Sequence, residues 1–334
     1  MKMLTEKNAK VLCSSEDFMP RRQGDYTNIK SPWVGDQIVA AFDHEGHLLK
    51  ECFFISRFDS VRANTYTRSM GSALKAEYLD EVFLAHTNQW TGNFQHFITE
   101  LLPKLMNYRK NILGMKLICS PSSGNKFFFD VCSLLDIPKD FIVVSQLETC
   151  YNVKSLSFCG YEENMACTEY TLNALKSFNQ ICKNHNSKES GTTRVYISRN
   201  NDVEDIQNNN NQTGNQRFAK NEKEFTDQIS PLGFNTVYMA NKSVKEKISI
   251  LSNVETLLIP DGASSMNILF ARNLKNVIIL DTGVPDGHFS FTKSLVEHVF
   301  PKCKVEYIKS DRPTGGHSPF YINIAEVYKR ICGK

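Results

Sequence analysis

The chain has 334 residues, 41% of them hydrophobic, enough for two ordinary domains or one large one, with a core that needs no disulfide staples. Its 39 Lys+Arg against 36 Asp+Glu give a formal charge of +3, far from the basic excess of a protein that grips nucleic acid through phosphates, so nucleic acid is not an expected partner. Ten cysteines without a C-x-x-C pair offer no structural zinc grouping, and with no secretion signal at the N-terminus they read as reduced, buried thiols of a cytoplasmic protein.

Taken in chain order, the first ~85 residues read as strands with turn punctuation. Residues 36–43 and 48–58 are β-rich, and the His44-Glu45-Gly46-His47 turn joins them as a hairpin. His44 and His47 read as solvated loop histidines, there being no third ligand nearby in sequence. Residues 81–87 form an apolar strand, Gly92 breaks the chain, and 94–110 repeat apolar residues at helical spacing, with Pro103 marking a kink or a boundary. Two short apolar runs, 115–120 and 141–145, flank a helical 127–136, the strand–helix–strand rhythm of a parallel sheet. No window reaches the ~18 apolar residues of a membrane span, and peripheral membrane contact stays open.

The chain changes character near Thr168. Residues 1–167 are expected to form one domain, 168–190 a helix and polar linker, 191–312 a second domain, and 313–334 a terminal amphipathic helix. In the second domain four strands (194–200, 236–240, one within 256–265 that ends in a small-residue turn, and 276–283) alternate with helices. One of these stops near Pro231 to Gly233, one is capped by Ser243, and a third runs 266–273. The pattern predicts a Rossmann-like parallel sheet. Between its first two elements, 200–216 is an Asn-rich polar insertion that reads as a flexible segment, since Asn tracts bury nothing.

In an open parallel sheet, ligands bind beyond the carboxyl ends of the strands, which selects the turns after 194–197, 256–259 and 277–280. Gly262, Ala263, Ser264 and Ser265 form a small-residue turn leading into a helix. It is either an anion-binding helix start or a tight turn with a Ser cap. Arg199 and Arg217 offer bidentate cations for a diphosphate, or are surface arginines. No P-loop, no G-x-G-x-x-G and no Asp-x-Asp occurs, which argues against a nucleotide hydrolase, a standard dehydrogenase and a carboxylate-held metal. His96 and Glu100, four apart on a helix, share a face and are read either as base and orienting carboxylate or as a polar pair that satisfies its surroundings.

These residues fall into ordered blocks. Asn93 through Leu105 resembles the N-x-x-H-[FW]-x-x-E-x-L-P-[RK]-L signature of glycosyltransferase family 61. Ile197-Ser198-Arg199, Arg217-x-x-x-Asn221-Glu222, Gly233-Phe234 and Asp261 through Phe270 look like its I-S-R, R-x-x-x-N-E, G-F and H-G-A-x-x-x-N-x-x-F blocks. The resemblance implies an α/β fold of GT-B architecture, two Rossmann-like domains facing a cleft with a C-terminal crossover helix. It implies an inverting transfer from a nucleotide-sugar donor, a UDP-sugar above all, to a glycan acceptor, with no cofactor and no obligatory metal. On that implication Arg199 and Arg217 neutralise the departing diphosphate and the Gly262 to Ser265 turn adds N–H donors. Asn221, Glu222 and Asn267 shape the nucleotide site or brace its loops, and Glu100 or His96 is the base. Asp261 departs from the family's His, placing an acid where a phosphate contact would otherwise lie. The alternatives are a nucleotide-sugar epimerase of the same architecture and a non-catalytic sugar-binding protein.

Overall fold

The computed structural model describes residues 3–15, 37–45, 47, 49, 75–85, 94–111, 114–119, 126–146, 149–159, 168–185, 191–200, 218–240, 242–283, 287–310 and 319–333. Arg217, most of the Asn-rich insertion and the expected strand 48–58 lie outside these. The fold is mixed α/β, and contacts divide it into two compact units, Met1–Ala174 and Leu175–Lys334. That division falls inside a helix the sequence predicts, at Glu169–Asn184.

The first unit is built on a six-stranded sheet in the order β2-β1-β6-β3-β4-β5. Its strands are β1 (Met3–Ser15), β2 (Gln37–Phe42), β3 (Lys75–Leu84), β4 (Lys116–Cys119), β5 (Ile142–Val144) and β6 (Thr149–Cys159). β1 runs antiparallel to both β2 and β6, whereas β6, β3, β4 and β5 are mutually parallel. Val11, Phe42, Val82, Leu84, Ile118, Tyr151 and Leu156 meet in one core. β6 is absent from the sequence reading, because Thr149, Asn152, Lys154, Ser155 and Ser157 break its apolar run. Only the pairing with β1 and β3 buries it.

Two helices of this unit, α1 (Leu102–Asn111) and α2 (Lys126–Leu134), follow β3 and β4. A single helical turn, Phe94–His96, and a π-helical stretch, Phe97–Leu101, precede α1. The widened register has a local cause: Pro103 has no N–H to return to the preceding turn, and Leu102 N–H reaches back five residues to Phe97 O. The boundary expected at Pro103 is therefore a π-to-α transition. Phe94 and Phe97 pack edge-on against Phe127 at 5.1 and 5.0 Å, fixing this segment on α2.

In the second unit α3 (Glu169–Asn184) leads into an all-parallel sheet, β8-β7-β9-β10-β11. These strands are β7 (Arg194–Ser198), β8 (Asn235–Tyr238), β9 (Thr256–Pro260), β10 (Asn276–Leu280) and β11 (Lys304–Ile308). Four match the predicted strands; β11 and the helix before it, α6 (Gly287–Val299), add a fifth repeat. α4 (Glu222–Ile229) ends in a short 3-10 turn closed by Gly233 at φ 82°, the expected stop. α5 (Val244–Leu251) opens with a full capping box from Ser243 and Glu246.

Two expectations change. The helix expected over 266–273 is a 3-10 helix, Ala263–Phe270, that starts three residues earlier and stops before Ala271, because Ser and Asn side chains near its start hydrogen-bond its backbone. The terminal helix α7 (Ile324–Cys332), expected to cross back to the first domain, packs on the second unit's own sheet. Val327 is fully buried there among Tyr196, Phe225, Leu258 and Ile278, where an apolar helix face finds its nearest cover.

Candidate functional site

In the second sheet the strand order, counted within the unit, is 2-1-3-4-5, and it reverses between β7 and β9. Open α/β sheets take ligands at the carboxyl ends of the strands on either side of such a reversal. Two of the sequence blocks meet there: Ser198, Arg199 and Asn200 end β7, and Asp261 to Ser265 follow β9. Arg199, only 5% exposed, donates from Nη1 to the Asp261 carbonyl at 3.4 Å, bridging the two strand ends.

The β7 end is held from below. Tyr196 and Ser198 hydroxyls both donate to Glu222 Oε1, at 2.7 and 2.6 Å, and Ser198 Oγ accepts the Asn200 N–H at 3.0 Å. Burial raises the Glu222 carboxyl above its ordinary range, against the two hydroxyls that favour its charged form. Burial and the Glu222 carboxylate likewise push the Tyr196 phenol well up. Asn200, which the sequence reading placed at the start of the flexible Asn-rich insertion, instead pairs both ends of its amide with Ala219, Nδ2 to O at 3.1 Å and N to Oδ1 at 3.0 Å. Asn221 does the same with Ile322, at 2.9 Å each way. Their signal was residue type: an Asn amide matches a peptide group in both donor and acceptor.

The β9 end is a strained turn. Gly262 has φ 98° and ψ −151°, a region essentially reserved for glycine. Its N–H donates to Asp261 Oδ1 at 2.7 Å, and Asp261 is 1% exposed. The Gly262 N–H is thus engaged inside the turn, leaving Ala263 and Ser264 as the N–H groups at the helix start. Ser264 Oγ donates to Pro260 O, Ser265 Oγ to Gly262 O and Asn267 Nδ2 to Ser264 O, each at 2.8 Å. Ser265 also meets Thr292 Oγ1 at 3.1 Å. These side chains shape the turn. Phe234 of the Gly233-Phe234 block lies just before β8, at the opposite, amino end of the sheet, buried in its core with Arg194 over its ring.

In the first unit the four parallel strands run in the order β5-β4-β3-β6, so their order reverses between β3 and β6. From β3 the chain goes on to the turn that carries His96. His96 Nδ1 and Glu100 Oε1 are 2.5 Å apart, with the His96 side chain 37% exposed and that of Glu100 13%. A carboxylate on Nδ1 favours the tautomer in which Nδ1 donates and Nε2 is the acceptor nitrogen.

A residue model described as Glycosyltransferase 61 matches residues 94–278, more than half of the chain and all of the blocks above from Phe94 onward. The chain belongs to glycosyltransferase family 61. Among curated proteins, none matches it. Membership makes this family-61 chain a glycosyltransferase, with a sugar donor and an acceptor as substrates. Its match takes in His96, Glu100, Arg199, Glu222 and Asp261, and ends inside β10.

Other features of this glycosyltransferase lie apart from these positions. Asp43, just before the predicted hairpin turn, and Glu45 and His47 within it bring ligand atoms within 4.8 Å of one another. The sequence reading, counting only histidines, did not foresee that trio. Asp43 Oδ1 accepts the N–H groups of Glu45 and His47 at 2.9 and 2.8 Å; burial raises its pKa, and the bonds from His47 and Glu45 with the His47 ring beside it together outweigh that and hold it below the ordinary value. This is a solvated Asx-type turn. The seven cysteines with described side chains are free, and burial raises the thiols of Cys132, Cys159 and Cys182. Among the described residues no helix is long and apolar enough to cross a membrane.

Proposed function

We propose that this chain transfers a sugar, with inversion, from a nucleoside-diphosphate sugar such as a UDP-sugar to a hydroxyl of a glycan acceptor. The proposal takes the second unit as the donor domain and the first as the acceptor domain of a GT-B architecture, in a cytoplasmic setting suited to free thiols. What supports the donor assignment is the meeting of the Ser198–Asn200 and Asp261–Ser265 segments at the strand-order reversal, with a buried arginine between them. Arg199 and Arg217 would take the charge of the leaving diphosphate, helped by the Ala263 and Ser264 N–H groups. Asp261 would spend one carboxylate oxygen on the Gly262 N–H inside the turn, which offsets part of its repulsion with a phosphate.

His96 is the proposed base: Nε2 takes the acceptor proton, the acceptor oxygen attacks the anomeric carbon, and the bond to the diphosphate oxygen breaks with its electron pair. Glu100 holds Nδ1 and stabilises the imidazolium that forms. One displacement inverts the centre, so one base suffices, and no metal is required where two arginines take the charge.

A thermal-shift panel of UDP-, GDP-, CMP- and dTDP-sugars, with and without EDTA, tests the donor reading. The expected result is an upward shift with UDP-sugars that EDTA leaves in place. No shift with any nucleotide overturns the donor site, and loss of the shift with EDTA overturns metal independence. For transfer, Arg199→Ala and Glu100→Gln are expected to lower the rate by about 10²–10³-fold with folding intact. Unchanged rates in both would overturn the mechanism.

A further inference from the structure

Lys247 lies in the first turn of α5, the helix that follows β8, and so stands on the carboxyl-end side of the sheet. Its side chain is 4% exposed. The ammonium donates to the Met239 carbonyl just past β8 and to Asn267 Oδ1 at 3.2 Å. Asn267 Nδ2 in turn donates to the Ser264 carbonyl at 2.8 Å. Since β7 lies between β8 and β9, this chain of contacts joins the strand ends on both sides of Arg199.

Burying an ammonium is unfavourable, and a methionine would fill the same space without that cost, so the position calls for donors. An amide can sit in its site either way round. A lysine, which only donates, accepts one of those two orientations: it fixes Oδ1 toward itself and thereby Nδ2 toward Ser264. The peptide between Ser264 and Ser265 is then pinned at both ends, its carbonyl by Asn267 and its N–H by Gly262 O at 2.9 Å. That pinning holds the first 3-10 turn, and with it the directions of the Ala263 and Ser264 N–H groups.

We infer that Lys247, acting through Asn267, is a positioning residue for the turn that takes the donor's diphosphate; the role rests on the donor-site reading above. The probes are UDP and inorganic pyrophosphate, titrated calorimetrically into the full chain at a temperature where melting curves show every variant folded. Lys247→Met is expected to weaken both ligands about tenfold or more. Asn267→Leu, which is uncharged, close in size and lacks the Nδ2 donor, is expected to produce the same loss. Because the two residues act in series, the double variant should bind no worse than Asn267→Leu alone. A purely structural lysine would change the melting midpoint and leave the dissociation constants of the folded protein unmoved. Diphosphate binding that survives both substitutions, or losses that add in the double variant, overturns this role and leaves the donor site standing. A wild-type chain that binds neither probe overturns the donor site and this role together. Should Lys247→Met fail to fold, the Asn267→Leu titration decides alone.

Discussion

Glu222 shows how one buried side chain can set the backbone at the end of a strand. It accepts from Tyr196 and Ser198, and Ser198 accepts the N–H of Asn200, so the carboxylate sets the backbone on either side of Arg199. Glu222→Ala would leave two buried hydroxyls without their acceptor, an expected loss of about 1–3 kcal/mol in denaturant unfolding. Glu222→Gln keeps an acceptor oxygen and should fold. The pH dependence has a definite sign. Because burial raises the folded-state pKa above the ordinary 4.5, the stability linked to this group is fully present below pH 4.5 and is lost as pH rises through the raised value. Melting midpoints of wild type and Glu222→Gln, compared across that window, should move in favour of the glutamine with rising pH and then level off. A difference independent of pH would show that Glu222 does not titrate there. The sequence offered Glu222 only as part of a block. Its two donors, 24 and 26 residues away, belong to the neighbouring strand, and no spacing rule reveals them.

At the scale of elements, the turn after β9 depends on one backbone conformation. Gly262→Ala places a Cβ at φ 98°, with an expected cost of about 1–3 kcal/mol and weaker diphosphate binding, read by melting and calorimetry. An alanine variant as stable and as tightly binding as wild type would contradict that account. The same sequence stretch was legible as a small-residue turn but not as a 3-10 helix, since that choice comes from where Ser265 and Asn267 send their hydrogen bonds. The Asn-rich insertion supplies a second case. Asn200 and Ala219 are joined by two hydrogen bonds, so the intervening segment is closed at its ends by described residues. Removing 204–213 is expected to change stability by less than about 1 kcal/mol, because closure entropy varies only slowly with length. A large loss on denaturant unfolding would mean the segment is part of the core.

For the molecule as a whole, the last residues are structural parts of the second unit. Phe320, Ile322 and Val327 belong to its core, Asn221 grips Ile322 from both sides, and Ala219 bridges Phe320. Ending the chain at Ser310 removes those three side chains, worth about 1.5–3 kcal/mol each, a total comparable with the stability of a domain. That truncation is expected to abolish cooperative melting of the second unit; a cooperative transition at the wild-type midpoint would refute it. The amino-acid sequence by itself determined the α/β class, the alternation of the second unit, the order of the family blocks and the His96–Glu100 spacing, because each rests on local periodicity or on residues a few positions apart. Only the tertiary structure decided that β6 joins β1 to β3, that α7 returns to its own sheet, and that Arg199, Glu222, Lys247 and Asp261 converge at one strand-order reversal. Those outcomes depend on which strands lie side by side, and pairing across 60 or more residues is set by burial of the whole sheet rather than by any local pattern.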